Sequence, residues 1–160
     1  MEGFTVGLAL LDFVPVAAFG AAGIIAGLAM NSPLFLVGAI LSTLAGCLKA
    51  GWKLILGACK KDIKWMNKCF VPMQVFGFLS MMFGAVFALM RVGMAVMDVI
   101  FVFPQILFFA LFFGLMGLMV YYRKHHFKHD DAKSNWTAEI INSFAQLSFL
   151  AAVLFCTGRI

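Results

Sequence analysis

Seven charged or amide side chains stand inside long apolar runs of this sequence, and they are its candidates for a working site. They are Asp12, Lys49, Lys53, Gln74, Glu139, Asn142 and Gln146. An Asp or Lys side chain at the centre of a bilayer costs about 2.5–3.5 kcal/mol on the insertion scale, so such residues need a partner or a function. Carboxylate, ammonium and amide groups in this setting can bind an ion or a small polar solute.

The carboxylate of Asp12 and the ammonium group of Lys49 are the deepest of these charges, and we expect them to pair. At 1.5 Å per residue both lie roughly 10–13 Å from the same face of the membrane, on two helices that form a hairpin. Lys53 is one turn shallower than Lys49 and shares its helix face. Glu139 lies at a depth comparable to that of Lys53, so these two side chains can pair as well.

A static role explains the same residues without any function. Lys53 follows Trp52 and can extend its ammonium group to the lipid headgroups. Glu139 can complement the positive end of its helix. Asn142 and Gln146 can hold neighbouring helices together by hydrogen bonds. Asp12 and Lys49 are the hardest to explain in this way because they are the deepest.

Two further polar residues form a secondary candidate site near the opposite membrane face. Asp98 follows Arg91 across a short turn, where the two can form a surface salt bridge. Gln105 follows Pro104, which removes a backbone donor from the run around it and frees a carbonyl group. Gln105 can therefore line a cavity, although kinked helices also occur for packing alone.

The sequence predicts no metal site and no cofactor. His125 and His129 are four residues apart and can chelate a metal from one helix face, but the surrounding segment is basic and repels cations. The four cysteines include no CxxC pair, and P-loop, HExxH and GxSxG motifs are absent. The basic segments indicate membrane topology rather than nucleic-acid binding.

The elements that carry these residues are apolar runs long enough to cross a bilayer. Hydrophobic residues make up 64% of the 160 residues and charged residues only 12%, and a span needs about 20 apolar residues. The runs are continuous rather than alternating, which favours helices over barrel strands. We predict an all-α integral membrane protein, a single transmembrane domain over residues 1–160. Its five expected spans are 5–30, 33–58, 70–90, 94–122 and 136–157.

Two boundaries of these spans have a local signature. Asn31 or Ser32 can cap the second helix, and Pro33 suits its first turn because the missing N–H has no partner there. Between the second and third spans, Lys61, Lys64 and Lys68 share one helical face, with Ile63 and other apolar side chains pointing the other way. This pattern predicts a short basic interfacial helix on the membrane surface.

The distribution of positive charge predicts the orientation. Ten basic residues fall on or near one side, against Arg91 and Arg159 on the other. The ten are Lys49, Lys53, Lys60, Lys61, Lys64, Lys68, Arg123, Lys124, Lys128 and Lys133. The positive-inside rule then places the N-terminus in the cytosol and the C-terminus outside. The expected partners are the lipid bilayer and anionic lipid headgroups at the basic segments, with a homo-oligomer also possible.

Three functions fit these observations. The first is a small transporter or channel for a small solute or ion, with a polar and ionic site open to the cytosol. The second is a membrane subunit or scaffold, without catalysis, whose buried charges hold helices together or bind partners and lipid. The third is an intramembrane enzyme that modifies lipids, for which no motif supplies a nucleophile or base. The sequence favours the first function, and not an enzyme.

Overall fold

The computed structural model describes residues 5–92, 99–126 and 131–158. In these ranges the chain forms five long helices and no strand. The helices are α1 (Val6–Ala29), α2 (Pro33–Cys59), α3 (Lys64–Val92), α4 (Gln105–His125) and α5 (Ala132–Cys156). Each is long and apolar enough to cross a membrane. The predicted all-helical architecture with five such helices is therefore confirmed for this part of the chain.

The turn between α1 and α2 is fixed by the side chain of Ser32. Its hydroxyl oxygen accepts a hydrogen bond from the backbone N–H of Phe35, which makes Ser32 the N-cap of α2, and Pro33 occupies the first turn. The same hydroxyl donates to the carbonyl oxygen of Gly84 at 3.0 Å. One side chain thus both starts α2 and ties the turn to α3.

The helices lie side by side in the order α3, α2, α1, α5, α4. The row therefore differs from the order of the chain, because α5 packs against α1 and separates it from α4. The end helices α3 and α4 pack mainly against one neighbour each, α2 and α5 respectively. Their outward faces carry exposed apolar side chains such as Phe76, Met90, Phe113 and Val120.

Small residues bring α1, α2 and α3 into close contact. A Cβ atom added at Gly23 of α1 would lie 2.8 Å from the Cβ of Ala39 on α2. One added at Gly84 of α3 would collide with the backbone of Phe35 on α2. Such close approach favours helix packing within a bilayer, where apolar lipid offers no hydrophobic driving force. Gly114 of α4 has open space in the position of its missing side chain.

Two expected boundaries differ from the structure. The short interfacial helix is not seen, because residues 64–68 form the first turns of α3 and the helix continues past Pro72. Lys64 and Lys68 are exposed there, so the basic face exists as one end of a long helix. The fourth span was expected over 94–122. Residues 94–98 of it lie outside the described residues, and a turn over 101–104 precedes α4, which begins at Gln105 directly after Pro104. Proline fits a helix start better than a helix interior because it has no N–H to donate.

Candidate functional site

Three charged side chains from three helices meet at the centre of the candidate site. The Lys53 ammonium group on α2 lies 2.8 Å from Asp12 Oδ2 on α1 and 2.8 Å from Glu139 Oε1 on α5. All three residues are buried, with no more than 8% of their surface exposed. We call these residues the ionic triad. It joins α2 to α5 across α1, although α1 separates these two helices in the row.

The three residues meet because they lie at the same depth in neighbouring helices, of which α1 and α5 run in one direction and α2 runs in the other. Asp12 is about 9 Å from the first residue of α1, and Lys53 is about 9 Å from the last residue of α2, at 1.5 Å per residue. Glu139 is about 10 Å from the first residue of α5. The first residues of α1 and α5 and the last residue of α2 all lie at one end of the bundle, so the three distances are measured from that end. We call it the basic end.

The expected pair between Asp12 and Lys49 is wrong. Lys49 lies one turn further from the basic end than Lys53, so its Cα does not share the depth of Asp12. Its ammonium group lies 4.1 Å from the centre of the Phe70 ring on α3, in a cation–π contact. The expected pair between Lys53 and Glu139 is present at 2.8 Å.

The two carboxyl groups of the triad lie side by side, because the same ammonium group contacts one oxygen of each at 2.8 Å. Glu139 Oε2 is buried and has no hydrogen-bond partner in the described structure. A buried acceptor without a partner typically costs about 1–3 kcal/mol, and more for a charged group. The triad is therefore a cluster with one acceptor position still open.

A polar face on α5 extends from the triad towards the centre of the bundle. Ser143 is one turn beyond Glu139, and its hydroxyl donates to the Glu139 carbonyl oxygen at 2.8 Å. Gln146 is two turns beyond Glu139 and is 9% exposed. Its amide nitrogen contacts Met116 Sδ on α4 at 3.8 Å, while its carbonyl oxygen is buried without a partner. A second open acceptor therefore lies about 10 Å beyond the triad along α5.

Phenylalanine rings from four helices lie beyond the triad, and we call them the phenylalanine layer. The layer consists of Phe78 on α3, Phe19 on α1, Phe149 on α5, and Phe109 and Phe112 on α4. Phe19 follows Asp12 by seven residues, which places both on one face of α1 and about 10 Å apart along its axis. The ring of Phe19 is centred 5.9 Å from that of Phe78 and 6.4 Å from that of Phe149. The contact between Phe19 and Phe78 joins α1 to α3, although α2 lies between these helices in the row. The row is therefore curved around this face.

The remaining predicted residues do not contribute side chains to the ionic triad. Gln74 and Asn142 are half-buried, and neither side chain forms a hydrogen bond to the described residues. Gln105 turns back on its own helix start, where its amide nitrogen can donate to the carbonyl oxygens of Val102 and Phe103. Asp98 falls outside the described residues. Its expected partner Arg91 donates to two backbone carbonyl oxygens, those of Met30 and Asn31, at 2.6 and 2.9 Å.

One charged residue near the site was assigned only to topology by the sequence. Arg123, in the last turn of α4, lies close enough to Lys49 and Glu139 to interact with both electrostatically. Its position in the chain gives no hint of this, because α4 joins the site only through its packing on α5. The phenylalanine layer was missed for the same reason, since it depends on the order of the helices.

Comparisons of the chain with protein-family models, with curated proteins and with solved structures found no match.

Proposed function

We infer that the protein is a small multi-pass membrane transporter or channel for a small solute or ion, and that the ionic triad is its working site. The N-terminus is proposed to lie in the cytosol and the C-terminus outside, so that the basic end of the bundle is the cytosolic end. The observation that carries the proposal is the burial of three charges from three helices with one carboxylate oxygen left without a partner.

A purely structural cluster has little need of such an arrangement. Replacing a buried ion pair by well-packed apolar residues is often neutral or stabilising. Ionisable residues inside membrane spans are typically found along the paths of ions and substrates. The open acceptors of Glu139 and Gln146 supply positions at which a polar ligand or water can bind.

The phenylalanine layer supports access from one side. It lies about 10 Å from the triad in the direction away from the basic end, and four of the five helices contribute to it. A site that is polar towards one membrane face and backed by aromatic rings towards the other fits an inward-facing state of alternating access. The end helices leave broad apolar faces uncovered by the rest of the chain, so a homo-oligomer is part of this proposal.

The test compares flux through purified protein in liposomes for the parent and an apolar triad variant. The variant combines Asp12→Leu, Lys53→Met and Glu139→Met, which removes all three charges at similar volume. Lys61→Met, at an exposed position in the loop before α3, is the matched control. We expect the triad variant to fold but to lose flux of ions and small polar solutes, while the control keeps it. Equal flux at equal protein per liposome would refute the proposal.

A scaffold without transport is the second candidate, and one observation favours it. The end helices leave broad apolar faces uncovered by the rest of the chain, including Phe76 and Phe113 with 65% and 68% of their surface exposed. Partner helices of a larger complex can pack there as well as lipid. If the protein is such a scaffold, the apolar triad variant will match the parent in every assay.

A further inference from the structure

We propose that the ion bound at this site is a proton, held between the carboxyl groups of Asp12 and Glu139 and taken up from the basic end of the bundle. This inference rests on the proposed function, because it names the ion that the working site carries. Its geometric basis is that one ammonium group lies 2.8 Å from an oxygen of each of two buried carboxyl groups.

A single bound proton makes the interaction between the carboxyl groups of Asp12 and Glu139 attractive rather than repulsive. Two ionised carboxylates are acceptors only and cannot form a hydrogen bond with each other. With one proton between them, one carboxyl donates to the other in a charge-assisted O–H···O bond. The Lys53 ammonium group then neutralises the single remaining negative charge through its two 2.8 Å contacts. The carboxyl pair takes up one proton from water at the basic end, and the only covalent bond that breaks is the O–H bond of that water or hydronium donor.

The other charges around the pair leave this reasoning in place. From α2, Lys49 and Lys53 face the carboxyl groups, but Lys49 is held against the Phe70 ring. From α4, Arg123 acts on Glu139. The ionisable side chains of α1 and α5 are Asp12, Glu139, the thiol of Cys156, and Lys133, which is exposed in the first turn of α5. Proton uptake therefore changes the charge of the carboxyl pair itself.

A metal cation fits the same place poorly. Calcium takes six to eight oxygen ligands and magnesium requires octahedral coordination. Within the described ranges no group of three or more carboxylate, histidine or cysteine side chains can hold a metal. The Lys53 ammonium group already occupies the position between Asp12 Oδ2 and Glu139 Oε1 where a cation would bind. A proton needs no such space.

The buried acceptors beyond the pair give the proton a direction of travel. Glu139 Oε2 and Gln146 Oε1 are both buried without partners on one face of α5. The two residues are about 10 Å apart along the helix axis, so a chain of water molecules between the two acceptors would form the relay. The relay leads from the triad towards the phenylalanine layer, which separates the proton from the opposite membrane face.

Infrared spectroscopy of the protein in lipid tests the bound proton without any transport assay. A protonated carboxyl group has a carbonyl stretch separate from that of ionised carboxylates. We expect one such band at neutral pH in the parent, its loss on raising the pH, and its absence in Glu139→Gln combined with Asp12→Asn. The matched control Asp62→Asn, at an exposed loop position, should keep the band. Asp12→Glu preserves a carboxyl group and should keep it even if Asp12→Asn fails to fold.

Proton flux separates this inference from the proposed function. With a pH-sensitive dye inside liposomes, the parent should acidify the lumen under an imposed gradient, and Glu139→Gln should reduce the rate to that of protein-free liposomes. A parent without the infrared band overturns the proton site, even if another solute moves and its flux depends on the triad. A parent that shows the band but moves neither protons nor solutes keeps the proton site and overturns the transport function.

Discussion

Replacing Lys53 by Met should destabilise the protein strongly, because it leaves two buried carboxyl groups without the counter-ion that they share. Each 2.8 Å contact has a gross Coulomb attraction of about 6 kcal/mol at an effective dielectric constant of about 20. Desolvation of all three groups offsets much of this attraction. Removing one member of a buried ion pair typically costs about 3–5 kcal/mol, since the other member remains as an uncompensated charge. We expect a loss in that range for Lys53→Met.

Lys49→Met is the matched control for this experiment, since it makes the same chemical change one helical turn away. Lys49 forms no salt bridge with the described residues and would lose a cation–π contact with Phe70, worth about 0.5–2 kcal/mol. The two variants are compared by the free energy of unfolding in matched detergent micelles. A loss for Lys53→Met no larger than that for Lys49→Met would show that the triad does not stabilise the bundle.

Three further predictions concern packing, capping and topology. Gly84→Ala should loosen the contact between α2 and α3, because its Cβ would collide with Phe35, and thermal unfolding should show a lower midpoint than the parent. Gly114→Ala is its control and should stabilise α4 by up to about 1 kcal/mol, since nothing lies near its Cβ. Ser32→Ala should cost about 1–2 kcal/mol in chemical unfolding through loss of the helix cap and of the bond to Gly84. A cysteine introduced at Asn31 should react with an impermeant reagent only from outside the cell, and reaction only from the cytosol would reverse the proposed orientation.

The sequence was sufficient to predict the helices because their signals are local. Continuous apolar runs define each helix, and Ser32 with Pro33 marks the start of α2 within one turn. The predicted break between residues 68 and 70 is wrong, because a change from basic to apolar side chains does not by itself end a helix. A helix crosses from a charged surface into an apolar region without interruption, and α3 does so.

The arrangement of the site was harder to predict because it depends on which helices are neighbours and on one-turn differences in depth. Asp12, Lys53 and Glu139 were identified as candidates from their types and positions. The partner of Asp12 was wrong, since Lys49 and Lys53 lie on the same face and differ by about 6 Å along the axis. No local pattern indicated that α5 would pack against α1, which brings Glu139 to Asp12.

The contacts of α5 with α1 and α4 differ in kind from the contacts of α2 with α1 and α3, and this difference bears on the proposed mechanism. Glycines bring α2 close to both α1 and α3 through interdigitated backbones, which leaves those helices little freedom to move. Helix α5 contains no glycine and meets its neighbours through alanines, the ionic triad and the phenylalanine layer. In a bilayer such polar contacts are a main source of attraction between helices. A change in the charge of Asp12 or Glu139 therefore alters the attraction at a contact that backbone packing does not fix, so binding at the triad can be coupled to movement of α5 and of the α4 that packs against it.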